Sequence, residues 1–234
     1  MAKGRRAAVA AAGVVLVLLG ATACGSEPTP APPSGVDELV VPTPSPDPAD
    51  FGSDVDNAWW PLPADATWTY RDDQGRELVR TVLPEPRQVG GIQATGVTVA
   101  PVASTWPAGT APAPVTAWYG QDRRRNVWLV GATRADGTVW EAGTDDVPAG
   151  LVVTGRPRVG DGYVRVEVPD VASQRVRVLE VGAEATVDGV ADEVVTLEVT
   201  TAGTPDRVEE QELARGTGLV RWTDGRTEWT YVAP

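Results

Sequence analysis

Cys24 is the only thiol among 234 residues, and it follows directly on Ala21-Thr22-Ala23. Small residues in front of a cysteine mark the place where an exported chain is diacylated on the sulfur and cleaved. The same tripeptide suits ordinary signal-peptidase cleavage, which releases a soluble protein, and Ala21 stands where an aliphatic residue usually precedes a lipidated cysteine. With no second cysteine the thiol has no disulfide to join, and a lone exposed thiol is a redox liability in an exported protein. The expectation is lipid attachment at Cys24, with plain secretion as the alternative.

Carboxylates are the other reactive groups in quantity. Asp145-Asp146 and Glu209-Glu210 are doublets of the kind a glycoside hydrolase uses, provided two carboxylates face one cleft. An acidic chain also shows such doublets wherever its surface is solvated, and that is the reading taken for both. Asp54-x-Asp56-Asn57 imitates the start of a calcium loop, but Ala58 takes the next ligand place and no glycine or closing glutamate follows. There is no histidine, and Lys3 is the only lysine. Ser-His-Asp and Cys-His catalysis, His-ligated zinc and Schiff-base chemistry are therefore excluded. No catalytic residue, metal ligand or cofactor-binding residue is assigned.

The remaining candidates are aromatic and polar. Trp59-Trp60-Pro61-Leu62-Pro63 reads as an aromatic plug on one end of a sheet, or else as a stacking platform for a sugar or lipid. Trp118 and Tyr119 are neighbours in a strand and so point to opposite faces. Gln121-Asp122-Arg123-Arg124-Arg125-Asn126 reads as a solvated hairpin loop with Asn126 in the left-handed position, or else as a cationic contact for headgroups or wall polymer. Trp59, Trp60, Trp118, Tyr119, Gln121, Asp122, Asn126 and Trp128 make up the candidate ligand or partner face.

These stretches also carry a resemblance. "DNAWWPLPADATWTY" (Asp56 to Tyr70) and "AWYGQDRRRNVWLVG" (Ala117 to Gly131) resemble the paired signatures of an uncharacterised group of exported actinobacterial proteins. "VWEAG" (Val139 to Gly143) and "ARGTGLVRW" (Ala214 to Trp222) resemble further segments of that group. The likeness implies an exported protein and no particular activity. Ala117, Arg125 and Ala132 replace an acid, a glycine and an acid of the group's pattern.

Met1 to Ala23 has the layout of an export signal: Lys3, Arg5 and Arg6, then an uncharged run from Ala7 to Gly20 too short and alanine-rich for a permanent span. Its removal leaves 17 basic residues, all arginine, against 32 acidic ones, a net charge of −15. That charge argues against nucleic acid as a partner. Residues 24–50 form the lipidated cysteine and its tether; eight of the 26 residues after Cys24 are proline, and at about 3.1 Å per residue the tract reaches roughly 80 Å. Leu39-Val40-Val41 is read as part of it.

From residue 51 the pattern is that of strands. Runs such as "ATWTYRD", "RELVRTVL", "VWLVGAT", "YVRVEV" and "TEWTYV" alternate between turn signals at Asp73-Gln74-Gly75, Asp136-Gly137, Asp161-Gly162, Asp188-Gly189 and Asp224-Gly225. No helical period is visible. Residues 51–234 are expected to form one all-β domain, an antiparallel meander closing into a curved sheet, half-barrel or barrel, with a two-sheet sandwich as the alternative. In the last hairpin a two-residue turn at Asp224-Gly225 pairs Trp222 with Thr227, Arg221 with Glu228 and Val220 with Trp229, putting Val220, Trp222, Trp229 and Tyr231 on one face. The four prolines of Ala100 to Thr116 predict a poorly paired loop there, with Trp106 packed back on the domain.

Together these features predict a monomeric cell-envelope lipoprotein on the outer face of the membrane. Its domain would bind an apolar or carbohydrate ligand or an envelope protein without catalysis. A secreted or wall-associated hydrolase using carboxylates is the alternative.

Overall fold

The computed structural model describes residues 46–133, 139–187, 190–204, 207–223 and 225–234. The signal, Cys24, Leu39-Val40-Val41 and the Asp-Gly pairs at 136–137 and 188–189 lie outside the described residues, as does Asp224.

Alternating sequence gives strands throughout: β1 (Thr67–Asp72), β2 (Glu77–Val82), β3 (Arg87–Val89), β4 (Ile92–Pro101), β5 (Val115–Gln121), β6 (Val127–Thr133), β7 (Val139–Glu141), β8 (Gly150–Val153), β9 (Gly162–Val168), β10 (Ala172–Val187), β11 (Val190–Thr201), β12 (Val208–Ala214), β13 (Gly218–Thr223) and β14 (Glu228–Val232). All neighbours are antiparallel, in the order β7-β6-β5-β4-β2-β1-β14-β13-β12-β11-β10-β9. One sheet, not a sandwich, makes a nearly closed barrel. Five of the strand pairs contain register shifts, and such bulges bend and twist a sheet enough to bring its ends together. Among the described residues there is no α-helix, and no helix is long and apolar enough to cross a membrane.

The seam lies between β8 and β9. β7 and β8 both pair with β6, β7 along Gly131–Thr133 and β8 along Val127–Leu129, so they act as one strand interrupted by the 142–149 excursion. This brings β8 against β9, where the Tyr163 hydroxyl donates to the Val152 carbonyl at 3.0 Å. Burial raises the Tyr163 phenol well above its ordinary pKa, although the Arg165 charge opposes the shift, so the hydroxyl keeps its proton for that bond. Gly150 is required at this seam: a Cβ there would sit 1.7 Å from the Arg165 carbonyl oxygen. Gly150→Ala is expected to cost about 1–3 kcal/mol by prising the seam apart, measured as a lower urea midpoint at unchanged far-ultraviolet dichroism.

Inward-facing side chains fill the barrel. Register places Trp68 beside Arg80, Tyr70 beside Tyr231, Asp72 beside Trp229 and Gln211 beside Trp222, all on the inner face. Val82, Val97, Val178, Leu197 and Leu213 complete a core with almost no exposed surface.

The last hairpin keeps its predicted faces but not its predicted register. Thr223 pairs with Glu228, Trp222 with Trp229 and Arg221 with Thr230. The connection is therefore four residues, 224–227, rather than two. A slip of two residues leaves every side chain on its own face, so alternation cannot choose between the registers. The observed one stacks Trp222 on Trp229, with ring centres 5.7 Å apart and planes 13° apart. Arg221 consequently turns to Glu212, with Glu228 a looser partner at 3.8 Å.

Candidate functional site

The segment Asp54 to Pro63 closes one end of the barrel, and Asn57 holds it there. Asn57 is 1% exposed. Its Oδ1 accepts from the backbone N–H of Trp59 at 2.7 Å and of Trp60 at 3.1 Å. Its Nδ2 donates to the carbonyls of Arg125 at 2.6 Å and Thr154 at 3.4 Å. The Leu62 N–H donates to the Val55 carbonyl and the Gly216 N–H to the Ala58 carbonyl, so the segment is tied at both shoulders. Trp59 and Trp60 are thereby buried at 6% and 3% exposure. They form the plug, not an exposed platform.

The loop between β5 and β6 is a knot on Asp122. Its Oδ1 accepts from the N–H of Arg124 at 2.8 Å and of Asn126 at 2.9 Å. Its Oδ2 accepts from Asn126 Nδ2 at 2.8 Å and Trp128 Nε1 at 3.0 Å. Asn126 does not take the left-handed position; Arg125 does, at φ 64°. With Asn126 bound twice to Asp122, and its Oδ1 taken by the Gly155 N–H, the turn residue is the one before it. Of the three arginines, Arg123 reaches Asp50 at 3.3 Å and the Ala49 carbonyl at 3.0 Å, so it fastens the segment that precedes residue 51. Arg125 reaches Asp56 at 3.1 Å. The basic loop is thus largely spent on this chain's own segments.

The eight candidates divide accordingly. Trp60 and Tyr119 meet inside the barrel, ring centres 5.8 Å apart. Gln121 Nε2 donates to Asp56 Oδ1 at 2.6 Å at the same end. Asp122, Asn126 and Trp128 belong to the knot. Trp118 stands apart on the outer face, over Gly96 and under the Arg87 guanidinium at 4.2 Å.

At the opposite end the proline-rich loop swings Trp106 back over the mouth, as its composition predicts. Trp106 Nε1 donates to the Glu77 carbonyl at 3.0 Å, and the ring stacks on Trp229. Arg76 lies over Trp106 at 4.9 Å and is gripped by Asp72. Burial pushes the Asp72 carboxyl up, but the Arg76 hydrogen bonds and charge, with the Gln74 N–H, outweigh it and hold the carboxyl below its usual range. A depressed carboxyl contributes stability that is complete above its unfolded pKa, near 4, and is lost as pH falls through the folded value. Wild type is therefore expected to lose stability below about pH 4, and Asp72→Asn, weaker at neutral pH, to show a smaller acid loss in chemical unfolding across pH 2–7.

Neither carboxylate doublet makes a facing pair. Glu209 and Glu210 are adjacent in β12 and point to opposite faces. Asp145 and Asp146 are the central residues of a turn closed by the Val147 N–H on the Thr144 carbonyl, at φ 51° and 58°. Positive φ at both is the type I′ condition, which glycine meets at least cost. Asp146→Gly is expected to stabilise the fold by about 0.5–1 kcal/mol, read as a raised thermal midpoint.

The residue that sequence reading passed over is Arg80. It is 3% exposed, on the inner face of β2, with its guanidinium 4.4 Å from the Trp60 ring and 4.9 Å from the Trp68 ring. Its Nη1 and Nη2, and Trp60 Nε1, are buried without a well-formed hydrogen bond among the described residues, the Tyr70 phenol oxygen being the acceptor the guanidinium faces. The nearby Tyr70 hydroxyl donates instead to the Leu219 carbonyl at 2.9 Å. Burial raises the Tyr70 phenol above its ordinary pKa, and the Arg80 charge and its hydrogen-bonding approach to the phenol oxygen offset part of the rise. Sequence held a signal: in Leu78-x-Arg80-x-Val82 a charge occupies the apolar parity of a strand.

No family model, curated protein or solved structure matches this chain.

Proposed function

We propose that this chain, akin to the exported actinobacterial proteins it resembles, is a cell-envelope lipoprotein. In this reading diacylated Cys24 holds it on the outer face of the membrane, and the proline-rich tract spaces the barrel from the lipid. The barrel is a binding or scaffolding domain rather than an enzyme. One observation carries the choice of binding over carboxylate chemistry. The buried carboxylates Asp72 and Glu212 are each engaged by an arginine, while the buried cation Arg80, between two tryptophans, has no counter-ion among the described residues. An uncompensated buried charge inside aromatic walls is a recognition feature, because isolating a charge from water costs several kcal/mol unless something answers it.

The tether is tested by fractionation with radiolabelled palmitate. Wild type is expected in the membrane fraction, labelled and extracted only by detergent. Cys24→Ala is expected unlabelled and in the medium. Two acyl chains hold a protein firmly where one holds it marginally. Equal release of both proteins would overturn the anchor.

A further inference from the structure

Arg80 has two features that its neighbours do not explain. The first is the company of donors. Nη1, Nη2 and Trp60 Nε1 are all hydrogen-bond donors, buried and without a well-formed partner, on a guanidinium and an indole ring whose centres lie 4.4 Å apart. Arg165 adds a second guanidinium 5.9 Å from the same Trp60 ring, and its Nη1 donates to the neutral Gln211 amide oxygen at 3.0 Å. A cluster of donors and positive charge answered only by one neutral phenol oxygen, that of Tyr70, is complementary to an oxyanion, which accepts several hydrogen bonds at once and which a guanidinium fork grips in a bidentate manner. Cation–π contact with Trp60 and Trp68 answers the charge in part, but it leaves the N–H groups unsatisfied.

The second feature is what covers Arg80. The plug segment supplies its lid: Trp60 lies over the guanidinium, and a Cβ placed on Gly218 would stand 3.4 Å from Pro61 Cδ and 3.9 Å from Arg80 Nη1. Along the outside of the same segment runs a groove of about 420 Å³, apolar along Val55, Pro61, Leu62, Leu83, Pro84 and Pro86 but lined also by the acids Asp54 and Asp56, so a carboxylate head finds its cation at Arg80 and not in the groove itself. That volume falls within the roughly 300–1,000 Å³ of small-molecule sites. A cationic end beneath the plug and an apolar trough beside it match one ligand shape, an anionic head on an apolar chain.

We propose that Arg80 and the Trp60 indole N–H form an oxyanion site gated by the Asn57–Pro61 plug, and that its ligand is a single-chain amphiphile with a carboxylate head. The head displaces Trp60 from the Arg80 face and takes its donors; the chain lies against Pro61 and Leu62. This rests on the binding reading above and names the ligand class for it. Arg80 binds and Trp60 both gates and donates; no bond is made or broken.

The test uses the full chain carrying Cys24→Ala, titrated with dodecanoate below its micelle concentration, with dodecanol and acetate alongside. Calorimetry is expected to show one site for dodecanoate, at least tenfold weaker binding of dodecanol, and weaker binding again of acetate. Arg80→Met is expected to weaken dodecanoate at least tenfold and to leave dodecanol unchanged, with Arg80→Lys between. Should Arg80→Met fail to fold, the Trp60 indole ¹H–¹⁵N signal of the otherwise unaltered chain, assigned through Trp60→Phe, still decides: it is expected to shift with dodecanoate and not with dodecanol. Equal binding of dodecanol and dodecanoate, undiminished dodecanoate binding by Arg80→Met, or no binding would overturn the proposal. Membrane attachment is read separately by fractionation, so a failed oxyanion site and a failed tether give different results.

Discussion

Asn57→Ala is expected to cost about 3–5 kcal/mol and to lower the thermal midpoint by on the order of 10 °C. The substitution strands the Trp59 and Trp60 N–H groups and two carbonyls, of Arg125 and Thr154, in a place with almost no water. Each buried polar group left unpaired costs about 1–3 kcal/mol, and for a domain of this size 1 kcal/mol shifts the midpoint by about 2–4 °C. The loss is local in origin. Hydrogen exchange of the Trp59 and Trp60 amides is expected to accelerate before that of β11 or β12, because the plug is released while the sheet persists. An exposed control sets the scale: Arg158→Ala removes one ion pair of an arginine side chain 83% exposed, and is expected to change stability by less than about 0.5 kcal/mol.

Asp122→Ala is the second large effect, again about 3–5 kcal/mol. Four donors converge on one carboxylate, and hydrogen bonds to a charged group contribute about 1.5–3 kcal/mol each before the loop relaxes. Asp122→Asn separates the two oxygens. Its amide oxygen still accepts from the Arg124 and Asn126 N–H groups, but its NH₂ then faces the Asn126 Nδ2 and Trp128 Nε1 donors. About half the loss is expected, measured by urea unfolding, with a changed Trp128 indole signal in both variants. Because the same loop gives the Arg125 carbonyl to Asn57, the two sites are coupled. The double variant Asn57→Ala/Asp122→Ala is expected to lose less than the two single losses together.

Much of the β architecture is legible in the chain because its strands are half-buried. Trp68, Tyr70 and Asp72 alternate with Thr67, Thr69 and Arg71, and burial follows that alternation residue by residue. Aromatic residues beside prolines announced both plugs, since such segments cannot continue a ladder yet carry too much apolar surface to stay in water. What alternation does not encode is any shift by two, so the Trp222–Trp229 register escaped it. The choice of Arg125 over Asn126 for positive φ escaped it too, because it depends on a side-chain knot that closes across the loop. The seam at Gly150 and Arg165 lies between strands that face each other only once the whole sheet has curled, and no local pattern records it. Arg80 was visible as a charge at an apolar parity, but its meaning depended on seeing which partners it lacked.

Native mass spectrometry tests most directly the proposal that this barrel binds a ligand rather than transforming one. Protein purified from the cells that make it should carry a non-covalent adduct with the mass of a carboxylate amphiphile, stripped by activation in the gas phase and missing from Arg80→Met prepared in the same way. Wild type and Arg80→Met both flying without any such adduct would contradict it.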